Sequence, residues 1–108
     1  MKIDTKEEGD LLVLILQGEM DHHNLKGISL QTDSILRHSK PKMLILDMQN
    51  VPFCDSSGIA AVIGRYKTLK EWDGQMVLYG LSNQVRKVLN LGGVFNIVKE
   101  VQPYDRKK

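Results

Sequence analysis

Asp55-Ser56-Ser57-Gly58 places two hydroxyls and a carboxylate between an apolar run and an amphipathic one. Upstream, Met43-Leu44-Ile45-Leu46-Asp47-Met48 predicts a short buried strand. Downstream, Ile59, Val62, Ile63, Tyr66 and Leu69 recur at helical spacing and predict one apolar helix face. The tetrapeptide therefore sits where a strand hands over to a helix. There the first helical N–H groups lack intrahelical partners and the macrodipole is positive. Two kinds of chemistry suit that position. Ser and Asp oxygens accept bonds from orphan N–H groups and so cap a helix. A phosphate is also well received there, which makes a phosphorylatable serine the functional alternative to simple capping. Phosphorylation adds roughly −1.5 to −2 charges and three acceptor oxygens. The helix end tolerates that charge, whereas Asp55 beside it repels it. A docked partner is then expected to feel the change more than the fold does.

Asp21-His22-His23 invites a metal reading, with Cys54 as a further ligand. Adjacent histidines in a loop usually point apart, and zinc ligands are normally spaced in separated pairs, so no metal is expected. Asp21 reads better as a helix cap or as part of a polar recognition rim. Cys54, between Phe53 and Asp55, reads as a small packing residue, since nothing nearby obviously lowers its pKa. A serine between strand and helix also resembles the nucleophile elbow of esterases, but Gly-x-Ser-x-Gly is absent and the nearby histidines lie upstream. No phosphate-cradling glycine loop precedes a helix, because Gly92-Gly93 follows one. The aromatics are too scattered to form a stacking platform for single-stranded nucleic acid. Hydrolase activity and cofactor binding are therefore not expected.

The elements that must position these residues follow from pattern. Lys2 to Glu7 predicts a polar edge strand, and Gly9-Asp10 a turn. Leu11 to Leu16 is continuously apolar and predicts a strand buried on both faces, ended by Gly18. One helix is expected from about Asp21 to Pro41, with Leu25, Ile28, Thr32 and Ile35 on its apolar face. After the 43–48 strand and the Asp55 loop, a helix is expected to reach Trp72. Asp73-Gly74 then turns into a strand at Gln75-Met76-Val77-Leu78-Tyr79. Ser82 is the expected cap of a helix bearing Val85, Val88 and Leu89, stopped by Gly92-Gly93. A last strand is expected from Phe95 to Val101. Alternation of strands and helices predicts an α/β layer fold with parallel neighbours. In such sheets, sites gather beyond the carboxyl ends of the strands. If the 11–16 and 43–48 strands are adjacent and parallel, Asp21 and Ser56 share one edge.

Composition narrows the function classes. The chain has 108 residues, one domain's worth, and 42% are hydrophobic, enough for a small core. Its 15 basic and 13 acidic residues leave a charge of +2, too balanced to argue for nucleic acid. A single cysteine makes no disulfide framework, and a cytosolic setting is the expectation. No apolar signal segment and no membrane-length apolar run is present, so no membrane association is expected.

The run Leu44-Ile45-Leu46-Asp47 to Val51-Pro52-Phe53-Cys54-Asp55-Ser56-Ser57-Gly58-Ile59 resembles the signature of the STAS domain of anti-sigma factor antagonists. Gly18-Glu19-Met20-Asp21-His22-His23 and Gly64-Arg65-Tyr66-Lys67 draw the likeness toward the sporulation branch of that family rather than the general-stress branch. It spans roughly residues 10 to 100, with several motifs in matching order and spacing. The resemblance implies an α/β fold, a single STAS-type domain over residues 1–108. Its mixed, largely parallel β-sheet would have helices packed mainly on one face, and the tail 103–108 is expected to be poorly ordered. It also implies a cytoplasmic bacterial regulator without chemistry of its own. Unphosphorylated, such a regulator binds an anti-sigma factor that is also a serine kinase, freeing the sigma factor; phosphorylation from ATP releases it, and a serine phosphatase resets it. By position, Ser56 is the phosphoacceptor, Asp55 and Ser57 flank it, Asp21 is the acidic residue that helps engage the kinase, and Gly58 lets the partner approach. Two departures stand out. Relatives commonly carry an aliphatic residue or Met at Cys54. They also finish with a packed helix, for which Tyr104-Asp105-Arg106-Lys107-Lys108 is too short and polar. A STAS-type binding module of a stress-signalling complex, or a nucleotide-binding regulator, is the alternative.

Overall fold

Among residues 1–101, which the computed structural model describes, an antiparallel hairpin is followed by strands alternating with helices. The expectation for 103–108 lies outside the described residues. The hairpin pairs β1 (Lys2–Glu8) with β2 (Leu11–Gln17), turning at Gly9, whose φ of 59° suits glycine. β3 (Met43–Asn50), β4 (Gln75–Tyr79) and β5 (Lys99–Val101) then add in parallel, giving one mixed sheet of order β1-β2-β3-β4-β5. The connections carry α1 (His22–Leu25), α2 (Ile28–Ser39), α3 (Ser56–Lys70) and α4 (Asn83–Leu91).

Burial alternates along the central strands. Leu12, Leu14 and Leu16 of β2 line up with Leu44 and Leu46 of β3 and Met76 and Leu78 of β4 on the helix-covered face. Complete burial of each such side chain contributes about 1.5–3 kcal/mol. Val62 and Leu69 of α3 and Val85 and Leu89 of α4 close that core from above. The opposite face, with Leu11, Val13, Ile15, Met43, Ile45 and Val77, is only half-buried. The expectation that β2 is buried on both faces is thus corrected. The run is continuously apolar, yet its burial alternates because helices cover one side alone.

Two further boundaries differ. The single helix expected from Asp21 to Pro41 is broken in two by Gly27, whose φ of 83° lies in the left-handed region. The apolar spacing continues through the break, so Leu25 and Thr32 still face the core. The last strand is shorter than expected: Val94–Asn96 forms a 3-10 turn, and only Lys99–Val101 pairs with β4. Val94 and Val98 use the intervening chain to cap the core.

An ion pair joins α2 to α3, with Arg65 Nε 2.8 Å from Asp33 Oδ1 but not aligned as a hydrogen bond. Thr68 donates its hydroxyl to the same oxygen at 2.9 Å. Arg65 is thereby tied to the helix pair and holds α3 in place.

Candidate functional site

β2 and β3 are parallel neighbours, and the loops beyond their carboxyl ends meet. Met20 N–H donates to Phe53 O at 2.9 Å, and Asp55 N–H returns a bond to Met20 O at 3.2 Å. This isolated parallel bridge of Met20 with Cys54 extends the sheet for one step. It sets Asp21 and Asp55 side by side, at the edge where Asp21 and Ser56 were expected to meet if the two strands were parallel neighbours.

Each aspartate begins a helix. Asp21 accepts the N–H of Asn24 at 2.8 Å and starts α1. Asp55 accepts the N–H of Ser57 at 2.8 Å through Oδ1 and starts α3. Its second oxygen accepts the N–H of His22 at 3.3 Å from the neighbouring loop. The bond from Ser57 holds the Asp55 carboxyl below its ordinary pKa, and the bond from His22 adds to that. Asp55 is thus an anion at neutral pH.

Ser56 is the first residue of α3 and is exposed. Ser57 is partly covered and faces a shallow groove of about 270 Å³ with His22, Leu25, Lys26, Ser29, Ala60 and Ala61. The groove lies between the α1–α2 bend and the first turns of α3. Phe53, 40% exposed, adds a large apolar side chain on the same loop.

Gly58 behaves differently from the surface residues around it. It is buried, and a Cβ built there would lie 2.4 Å from Cys54 Sγ. Glycine is required here by the inward approach of α3 to that sulfur. Cys54 itself is fully buried, and its thiol donates to Asp55 O at 3.2 Å. Burial, with the Asp55 charge adding to it, pushes the thiol up to about 11. Cys54 is thus a packing residue, well separated in environment from the exposed His22 and His23. Among the described residues, no group of three or more His, Cys, Asp or Glu side chains could hold a metal ion.

Sequence reasoning missed Gln84. From the first turn of α4 its side-chain oxygen accepts Cys54 N–H at 3.0 Å, and its amide donates to Cys54 O at 3.0 Å. A side-chain amide thus stands in for a neighbouring strand. It supplies both partners to a buried peptide that the sheet leaves unpaired. Ser82, the expected cap, accepts Val85 N–H at 3.1 Å and fixes the start of α4. Three elements therefore hold the loop that presents Ser56.

A family model described as the STAS domain matches residues 2–106. The anti-sigma F factor antagonist of Paenibacillus polymyxa is 29% identical over 98 residues, covering 91% of this chain and 84% of that protein. The solved structure of the anti-sigma factor antagonist SpoIIAA in its unphosphorylated form superposes with a TM-score of 0.81 at 24% identity, over 98% of this chain and 91% of that one. The Bacillus cell fate determinant SpoIIAA in its phosphorylated form gives 0.72 at 23% identity, over 98% and 95%. The sheet order, the helices on one face and the family match agree, and the chain belongs to the STAS domain family.

Proposed function

We propose that this chain is an anti-sigma factor antagonist whose docking surface is switched by phosphorylation of Ser56. The carrying observation is that Ser56 is exposed at the start of α3, beside an anionic Asp55 that is bonded across to the Asp21 loop. The relative from Paenibacillus polymyxa, named an anti-sigma F factor antagonist, supports the reading. So does the existence of SpoIIAA in both unphosphorylated and phosphorylated forms.

In this reading the partner is an anti-sigma factor that is also a serine kinase, and it docks on Asp21, Asp55, Ser57 and the groove beside them. Buried Gly58 contributes by letting α3 settle on Cys54, which sets the height of Ser56. The kinase transfers the γ-phosphoryl group of ATP to Ser56 Oγ; the β–γ bond breaks, and the serine proton leaves to a base on the kinase. The resulting dianion lies next to Asp55, and the positive helix end offsets part of its charge within this chain. In the complex it meets the partner's own acidic groups or bound nucleotide. Disturbing desolvated charge at an interface costs on the order of 2–5 kcal/mol, enough to dissociate a moderate complex. A serine phosphatase resets the switch. The chain performs no chemistry itself and works in the cytoplasm, without direct nucleic-acid or membrane contact; among the described residues no helix is long and apolar enough to cross a membrane.

The test is incubation with a candidate anti-sigma factor kinase and ATP, read by mass spectrometry and by pull-down. One phosphoryl group is expected on Ser56. Ser56→Ala is expected to bind the kinase without being modified, and Ser56→Asp to bind at least about thirtyfold more weakly. Equal binding by Ser56→Asp and the unmodified wild type would remove the mechanism.

A further inference from the structure

β1 is an edge strand with seven residues and an unbroken register against β2. It has neither a proline nor a bulge, so its charged side chains are what guard this exposed edge against indiscriminate pairing. Those charges follow a strict order. Lys2, Asp4, Lys6 and Glu8 share one sheet face and are all exposed. Their neighbours on β2 are Gln17, Ile15, Val13 and Leu11, none of which offers an opposite charge. The ladder is thus unanswered inside its own sheet.

The same ladder answers itself. Laid antiparallel against a second copy with full overlap, β1 sets Lys2 opposite Glu8 and Asp4 opposite Lys6, and the two-fold axis repeats both pairs. On the other face Thr5 meets its own copy and Ile3 meets Glu7, with no like charges opposed. Sliding the register by two residues, which preserves the faces, brings lysine opposite lysine and aspartate opposite aspartate or glutamate. Opposite charges directly across two strands stabilise pairing and like charges destabilise it. The order of charges therefore specifies one register and penalises its neighbours.

We propose that two copies of this chain associate through β1 into a continuous antiparallel junction, joining their sheets. Lys2 lies beside Gln17 at the carboxyl end of β2, while Glu8 lies beside Leu11 at its start. Pairing Lys2 with the other copy's Glu8 therefore sends the two Ser56 edges to opposite ends of the dimer. Each remains open to its own partner.

Sedimentation equilibrium of the full chain tests this at low and high salt. The wild type is expected to dimerise at low ionic strength and to weaken as salt screens the ladder. Asp4→Lys sets lysine opposite Lys6 twice per dimer, and Lys6→Asp sets aspartate opposite Asp4 twice. Each is expected to weaken association by about tenfold or more. Asp4→Lys combined with Lys6→Asp restores opposite charges and is expected to return dimerisation to the wild-type level. That recovery also shows that loss in the single variants was not loss of folding. A wild type that stays monomeric up to about 1 mM overturns the proposal. So do single variants that dimerise as well as the wild type, or a double variant as weak as the singles.

Discussion

Asp55 Oδ2 accepts the backbone N–H of His22 at 3.3 Å across a separation of 33 residues. One carboxylate thereby does two jobs. It caps the helix that presents Ser56, and it fastens that helix to the loop carrying Asp21. The bond exists because β2 and β3 are parallel neighbours whose carboxyl ends open on the same edge. A surface assembled in this way is rigid before any partner arrives, which lowers the ordering cost of docking.

The charge on Asp55 makes acid stability informative. Its folded pKa lies below the ordinary value, so its contribution is present above the unfolded pKa and is lost as pH falls through the folded one. Asp55→Asn keeps an oxygen for the Ser57 N–H but has no charge. The wild type is expected to be the more stable protein at neutral pH, with the difference shrinking below about pH 4. Urea unfolding of both proteins across pH 3 to 7 checks this; a constant difference over that range removes the assignment.

Gly58 and Cys54 form a pair that a double substitution can separate. Gly58→Ala places a methyl group 2.4 Å from the sulfur of a fully buried Cys54, so one of the two must shift. Overpacking of this kind costs about 1–3 kcal/mol, more than the roughly 1 kcal/mol by which alanine favours a helix. Cys54→Ala removes the obstructing sulfur at the expense of a small cavity. In the combined variant Gly58→Ala is expected to become neutral or stabilising, so the two effects are strongly non-additive in a thermal or urea cycle. Additive losses would place the need for glycine elsewhere.

How far residues alone foretold this arrangement depended on the range of the interaction. The cap at Ser82 and the stop at Gly92 were readable because both signals are local to the helix they bound. That Asp21 and Ser56 share one edge was readable only on the condition that the 11–16 and 43–48 strands are adjacent and parallel, which β2 and β3 are. Gly27 was misread because Leu25, Ile28 and Thr32 keep their spacing through the bend, and periodicity alone does not register one left-handed residue. Leu11 to Leu16 gave no sign that helices cover only one of its faces, because half-buried Val13 and Ile15 are as apolar as Leu12 and Leu14. Gln84 left no trace at all, since an amide that mimics a strand for a peptide 30 residues away has no local pattern. The reading of Ser56 as a phosphoacceptor came from resemblance; on the residues alone, helix capping was the favoured reading.

Cys54 is expected to be inert in the folded chain. Its thiol is buried, bonded to Asp55 O, and pushed up to about 11. At pH 8 the lower thiolate fraction alone slows modification by roughly two orders of magnitude relative to an unperturbed cysteine. A thiol reagent should therefore label the native protein slowly and the urea-unfolded protein fast. Equal rates would mean that the loop opens freely and that Ser56 is not held as described.

Gln84 offers the sharpest separation of loop position from loop chemistry, because it touches neither hydroxyl. Its side chain is both acceptor and donor to the Cys54 peptide. Gln84→Ala leaves a buried N–H and C=O without those partners, which costs about 1–3 kcal/mol. Gln84→Glu keeps the acceptor for Cys54 N–H but turns the donor into an anion facing Cys54 O, so it is expected to be no better than alanine. Because Cys54 precedes Asp55 and Ser56 directly, loosening it frees the loop that a kinase has to recognise if the proposed function holds. Both variants are therefore expected to slow phosphorylation of Ser56, measured by mass spectrometry at a temperature where each remains folded. Ser82→Ala serves as the control: it loses a cap worth about 1 kcal/mol on the same helix while leaving the Cys54 peptide paired. If Ser82→Ala slows phosphorylation as much as Gln84→Ala does, general destabilisation explains both. If only the Gln84 variants do, the pairing across 30 residues is what holds Ser56 where a kinase can reach it.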